Sequence, residues 1–121
     1  MTITLPVPGK ALRPNDGNPH WRTKHSAAKR AKARARLQTL THPVEERARP
    51  WRGYSIHAYT AALWDRDNIL AASKAYLDGI AGALGANDRD WDLIGDPAIQ
   101  RTIDRANPRF EITLHPATPT Q

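Results

Sequence analysis

Two aspartates and an asparagine stand together in the stretch Asp65-Arg66-Asp67-Asn68. If this stretch is extended, carboxylates two positions apart project to the same side of the chain. They could then share one Mg²⁺, which prefers a few carboxylates and keeps waters in its other positions. The alternative is that they cap a helix, because aspartate is favoured at a helix N-terminus. One aspartate is enough for a cap, so the motif by itself leaves both interpretations open.

The helical pattern that follows adds a lysine and a further aspartate to the same face. At about 100° per residue, Asp67, Lys74 and Asp78 fall within about 40° of one another. A lysine at this place could stabilise the charge of a phosphorane-like transition state or protonate a leaving group. The alternative is a solvated surface pair, since Lys74 and Asp78 are spaced i, i+4.

A second acidic segment follows the helix, with Asp88, Asp90 and Asp92 at alternate positions. If this segment turns back beside the sheet, one or two of its carboxylates complete a metal site with Asp65 and Asp67. Phosphodiester hydrolysis needs such a site, because metal ions lower the pKa of the attacking water and neutralise charge on the departing oxygen.

A predicted basic helix precedes these motifs, with no acidic residue between Asp16 and Glu45. Counterion release makes such a helix a binder of the nucleic-acid backbone without sequence preference. The alternative is a soluble helix surface, although such surfaces normally mix both charges. The predicted DNA-binding residues are Arg22, Lys24, Lys29, Arg30, Lys32, Arg34 and Arg36.

Composition supports a polyanionic partner. The 121 residues include 18 Lys and Arg against 12 Asp and Glu, a net charge of +6. Residues 1–50 carry 11 basic and 3 acidic residues, whereas residues 51–121 carry 7 basic and 9 acidic ones. The chain has no cysteine, which excludes a disulfide framework and a thiol nucleophile. It shows no signal peptide and no apolar run of transmembrane length, so we expect a cytoplasmic protein without a membrane partner.

Periodicity predicts a single α+β domain over residues 1–121, with a mixed sheet and two helices packed on it, in the order β-α-β-α-β-β. Its predicted elements are a strand at residues 2–5, a helix with Ser26 as N-cap and the run Ala27 to Leu40, a strand from Trp51 to Leu63, a helix from Asp65 or Asp67 to about Leu84, and strands at Ala98 to Asp104 and Arg109 to His115. Residues 43–50 form a polar connector, and residues 116–121 a frayed tail. The strands at residues 51–63 and 109–115 are candidate subunit contacts, because an exposed edge or an apolar sheet face needs cover.

The order of these motifs resembles the RusA family of Holliday junction resolvases, in particular its phage-borne members. The resemblance covers most of the chain. It includes the opening strand and Pro8, the loop with Asn15, Asn18, His20 and Trp21, the basic helix, Asp65-Arg66-Asp67-Asn68-Ile69, Lys74, Leu77-Asp78-Gly79-Ile80 and the acidic segment.

The resemblance implies a homodimeric, Mg²⁺-dependent endonuclease that cuts four-way DNA junctions symmetrically, in a bacterial or phage-infected cell, with Mn²⁺ as an alternative metal and no small-molecule cofactor. Asp65 and Asp67 match the family's metal-binding pair, and Lys74 matches its catalytic lysine. The family's last acidic position is usually an adjacent Asp-Asp pair. Here it is split into Asp88-Arg89-Asp90, so either Asp88 or Asp90 is the third ligand.

Two other functions fit the same residues. A nuclease for forks, flaps or general DNA would use the same metal site on another substrate. A non-catalytic DNA-binding protein would use its aspartates only for capping and solubility. Cleavage of a junction with and without Mg²⁺ separates the three.

Overall fold

The computed structural model describes residues 1–13, 21–85 and 97–116. They form the α+β architecture predicted from the sequence, a four-stranded mixed sheet with helices. The elements are β1 (Thr2–Leu5), a 3₁₀ turn (Lys10–Leu12), α1 (Trp21–Leu40), α2 (Val44–Arg47), β2 (Trp51–Thr60), α3 (Arg66–Leu84), β3 (Ala98–Ile103) and β4 (Arg109–Pro116). In these parts of the chain no helix is long and apolar enough to cross a membrane.

The strands lie in the order β1-β4-β2-β3. β4 pairs antiparallel with both β1 and β2, whereas β2 and β3 are parallel. Parallel neighbours need a crossover connection, and α3 lies in the one between β2 and β3. β2 and β4 are therefore the inner strands, and neither is an edge of the sheet. The predicted subunit contact through an exposed edge of these strands is wrong, whereas contact through an apolar face of the sheet stays a prediction. The edges belong to β1 and β3.

The core lies between one face of the sheet and the two long helices. Strand side chains alternate between the two faces, so alternate residues are buried on this side in β1, in β2 from Ile56 to Thr60 and in β4 from Phe110 to Leu114. They pack with alanines of α1 and with the apolar stripe of α3. The buried cluster consists of Ile3, Leu5, Ala31, Ala35, Ile56, Ala58, Ile69, Tyr76, Ile80, Phe110, Ile112 and Leu114.

Three boundaries differ from the sequence prediction. α1 begins at Trp21, so Ser26 is an exposed residue inside the helix and not its N-cap. β2 ends at Thr60 and not at Leu63. The Thr60 hydroxyl donates to the carbonyl of Ala62, 2.6 Å away, and this local bond turns the chain out of the strand. The connector contains the short helix α2, which begins after Pro43. The predicted frayed tail lies outside the described residues beyond Pro116, which ends β4.

The two long helices pack most closely at Gly79 of α3. A Cβ atom at this position would collide with the backbone oxygen of Lys32 and would lie 3.1 Å from the Cβ of Ala35. On α1, Ala31, Ala35 and Thr39 form the buried face at a spacing of four residues. The buried Thr39 hydroxyl donates a hydrogen bond to the Ala35 carbonyl at 2.7 Å, so it needs no partner on α3. Small side chains on both helices therefore let the two backbones approach.

We expect Gly79→Ala to lower the free energy of unfolding by about 1–3 kcal/mol, because the new methyl group must push α1 away from α3. Gly82→Ala is the matched control, since a Cβ there meets no atom within 4 Å. It should raise stability by about 0.5–1 kcal/mol through helix propensity. Urea unfolding of both variants measures the difference, and equal effects would contradict the close packing.

Candidate functional site

Asp65 and Asp67 lie at the start of α3, and the carboxylate of Asp65 does not cap the helix. Asp65 is the N-cap residue in extended conformation (φ −65°, ψ 146°), and its backbone oxygen accepts from the Ile69 amide at 3.1 Å. Its side chain makes no capping hydrogen bond. Asp67 belongs to the first helical turn. The premise that both carboxylates stand on extended backbone is therefore wrong for Asp67. Both side chains are exposed.

The predicted polar face of α3 exists, because the helix runs without interruption from Arg66 to Leu84. Lys74 is exposed and Asp78 is half-buried. In the described ranges no salt bridge joins these two side chains. They line a groove instead, so a simple surface ion pair does not account for them.

This groove runs between α1 and α3 and has a cationic lining. One part, of about 370 Å³, is lined by Leu12, Lys24, Ala28, Ala71, Ala72, Lys74, Ala75 and Asp78. An adjoining part of similar volume is lined by His25, Ala28, Lys29, Lys32, Ala75 and Asp78. Ala28 and Ala75 are shared by both parts, and their small side chains keep the groove open. Four lysines thus face a single carboxylate in what we call the α1–α3 groove.

All seven predicted DNA-binding residues lie on α1 and all are exposed, but they do not share one face. Lys24, Lys29 and Lys32 line the groove. Arg34 points to another side of α1, where its charge acts on Tyr76 of α3. Burial raises the pKa of the Tyr76 hydroxyl, and Arg34 partly offsets this rise. The remaining members of the set are Arg22, Arg30 and Arg36.

The third metal ligand cannot be assigned, because Asp88 and Asp90 lie outside the described residues. Within the residues that are described, no group of three or more His, Cys, Asp or Glu side chains could hold a metal ion. Asp65 and Asp67 supply two exposed carboxylates, and oxygen donors of this kind suit Mg²⁺.

Sequence reasoning missed a group of arginines around Trp64, next to the start of α3. The Nη2 of Arg66 donates to the carbonyl of Pro97 at 3.0 Å, and the Nη1 of Arg101 donates to the carbonyl of Trp64 at 3.1 Å. The guanidinium carbon of Arg13 lies 4.2 Å from the centroid of the Trp64 ring. These contacts join residues far apart in sequence, so only the fold reveals them.

The other face of the sheet is occupied by paired charges. Arg109 forms salt bridges to Asp104 at 3.1 Å and to Glu111 at 2.9 Å, and its guanidinium stacks on Tyr59. The His57 ring stacks on Tyr59 as well. Hydrogen bonds from the Asn107 backbone amide and from the Arg109 side chain lower the pKa of Asp104. This face offers little net positive charge, in contrast to the α1–α3 groove.

Comparison with known proteins places the chain in a family. It is 38% identical over 113 residues to an uncharacterized protein of Xylella fastidiosa (strain Temecula1 / ATCC 700964), a match that covers 88% of this chain and 71% of the relative. The chain belongs to the same family as that protein. No family model matches the chain. No solved structure matches it significantly.

Because the Asp65 carboxylate makes no capping hydrogen bond, we expect Asp65→Ala to change the free energy of unfolding by less than about 0.5 kcal/mol. An N-cap aspartate that bonds the first turn contributes about 1 kcal/mol. Thermal and urea unfolding at low metal concentration measure the change, with Glu45→Ala in α2 as a control for loss of an exposed acid. A loss of 1 kcal/mol or more would show that Asp65 serves as a cap.

Proposed function

We propose that this protein is a metal-dependent endonuclease that cuts branched DNA, of the kind represented by the RusA resolvases. The observation that carries the proposal is the α1–α3 groove. In it the lysines of the basic helix face Lys74 and Asp78, which continue the polar face that Asp67 begins. A polyanion bound along these lysines would pass beside the two exposed aspartates.

The electrostatics of this arrangement suit phosphodiester hydrolysis. Carboxylates alone repel phosphate, so a nuclease needs cations that bind the backbone next to its acidic residues. Lys24, Lys29 and Lys32 supply such charges, and binding releases the counterions of the nucleic acid. Asp65 and Asp67 make no salt bridge with a neighbouring cation in the described ranges, which leaves both carboxylates for a metal ion.

Each residue then has a distinct role. Asp65 and Asp67 would hold Mg²⁺ or Mn²⁺, with Asp88 or Asp90 as a third ligand. The metal supplies an activated water and neutralises charge on the departing oxygen. Lys74, about two helical turns after Asp67 on α3, would bind a phosphate oxygen and stabilise the charge that develops there. Asp78, half-buried and four residues farther along α3, lines the groove together with this lysine.

The proposed active form is a homodimer. A four-way junction has two-fold symmetry, and a C₂ dimer presents two identical sites to it. The motif Asp65-Arg66-Asp67-Asn68 occurs once in the chain, so one subunit supplies one site. Paired cuts in a supercoiled cruciform plasmid yield linear DNA, whereas a monomeric fork or flap nuclease yields nicked circles.

Asp67→Asn keeps the size of the side chain and removes its charge. We expect junction cleavage in Mg²⁺ to fall by about 100-fold or more, because even supporting residues of metal ligands can contribute that much. Junction binding should persist or tighten, since a repulsive charge is lost. Glu45→Gln, the same change at an exposed site in α2, should cleave normally.

Cleavage by the Asp67→Asn variant at the wild-type rate, or cleavage by the wild-type protein in EDTA, would contradict the metal site. DNA binding without any cleavage by the wild-type protein would indicate a non-catalytic binder.

A second experiment tests the groove. Changing Lys24, Lys29 and Lys32 together to Gln should weaken binding to a four-way junction. The slope of log K against log salt should fall by about 0.9 for each lost phosphate contact. The control changes Arg49, Arg52 and Arg105 to Gln, which removes the same charge from exposed positions outside the helix. Equal slopes for the two triple variants would show that DNA does not follow the groove.

A further inference from the structure

Arg66 and Arg101 hold the start of α3 against β3 through two crossed hydrogen bonds. Arg66, at the start of α3, reaches Pro97, which precedes β3. Arg101, on β3, reaches back to Trp64, which precedes α3. In the sequence, Asp65 stands between Trp64, which accepts one of these bonds, and Arg66, which donates the other. Both arginine side chains are exposed, and their acceptors are backbone carbonyls.

Carbonyl acceptors fix a guanidinium without neutralising its charge. A guanidinium has five N–H donors, and these bonds use one donor of each arginine. In the described ranges neither Arg66 nor Arg101 forms a salt bridge. The remaining donors are therefore available for an anion, and arginine binds phosphate well because its planar donors match the oxygens of the group.

Arg66 and the centre of the lysine groove lie in different directions around the axis of α3. Arg66 projects about 100° from Asp67 around the helix axis, toward β3, whereas Ala71 of the groove lies about 40° from Asp67 on the other side. The acidic pair thus has a cationic surface on each side. On one side are the lysines that α1 brings to α3, and on the other are the arginines that join α3 to β3.

We propose that Arg66 and Arg101 form a second phosphate-binding surface, which takes the nucleic-acid backbone beyond the point where it passes Asp65 and Asp67. This inference rests on the proposed function and extends it. The bound strand is contacted by lysines on one side of the acidic pair and by arginines on the other. Arg13, stacked on Trp64, adds positive charge near this surface.

The test is the salt dependence of binding by the double variant R66Q/R101Q. A labelled four-way junction is titrated in EDTA, so that no cleavage occurs. The slope of log K against log salt should fall by about 1.8, that is by about 0.9 for each of two lost contacts. The control R52Q/R105Q removes the same charge from exposed positions and should keep the wild-type slope. An unchanged slope for R66Q/R101Q would overturn the inference.

Two further measurements separate the alternatives. R66K/R101K keeps both positive charges, although lysine lacks the planar donors of arginine. Because the slope depends on charge, this variant should keep most of it. A slope as low as that of R66Q/R101Q would show that the arginines act through the fold. Inorganic phosphate is the second probe. If it raises the Tm of the wild-type protein but not that of R66Q/R101Q, while the junction slope is unchanged, the pair binds free phosphate and the inference is wrong. Should R66Q/R101Q fail to fold, R101Q is compared with R105Q, with an expected fall of about 0.9.

Failure of this inference and failure of the proposed function give different results. If the lysine triple variant lowers the slope and R66Q/R101Q does not, the second surface is absent and the groove stands. If R66Q/R101Q lowers the slope and no variant or metal affects cleavage, the protein binds DNA on this surface but is not the proposed nuclease.

Discussion

The close contact between α1 and α3 at Gly79 is the constraint on which the rest of the molecule depends. The backbone of α1 passes so near Gly79 that no side chain fits between the helices. Alanines on the facing side of α1 permit the same approach. Two helices with large side chains at this contact would stand farther apart. The lysines of α1 would then no longer share a groove with Lys74 and Asp78, and the basic and acidic parts of the sequence would form separate surfaces.

Charge is thereby arranged in three zones around the start of α3. Lysines from α1 line one side, the aspartates stand at the helix N-terminus, and arginines lie on the side of β3. The sheet contributes Arg101 of β3 to this arrangement, whereas its other face pairs Arg109 with two carboxylates. Among the described residues, the lysines of α1 and the acidic pair thus lie on the helical layer. The proposed nuclease activity depends on that proximity.

Much of the fold could be predicted from local patterns. The alternation in β1 and β4 and the apolar stripe of α3 follow directly from the sequence, because each of these elements buries one face against the same core. The start of α1 could not be predicted, since Lys24 and Ala28 extend the helix along α3 only in the folded chain. The close contact at Gly79 could not be predicted either, because it depends on which helix passes this residue in the folded chain. The bonds of Arg66 to Pro97 and of Arg101 to Trp64 span 31 and 37 residues, distances over which single-sequence patterns carry no information.

The central claim is that a bound nucleic-acid strand and a metal ion meet at the start of α3. Amide NMR spectra of the protein bound to an uncleaved junction, recorded with and without trace Mn²⁺, test it most directly. The account predicts paramagnetic broadening centred on residues 65–68, together with DNA-induced shifts at Lys24, Lys32 and Lys74. Broadening centred elsewhere in the chain, or DNA-induced shifts confined to the sheet face around Arg109, would contradict it.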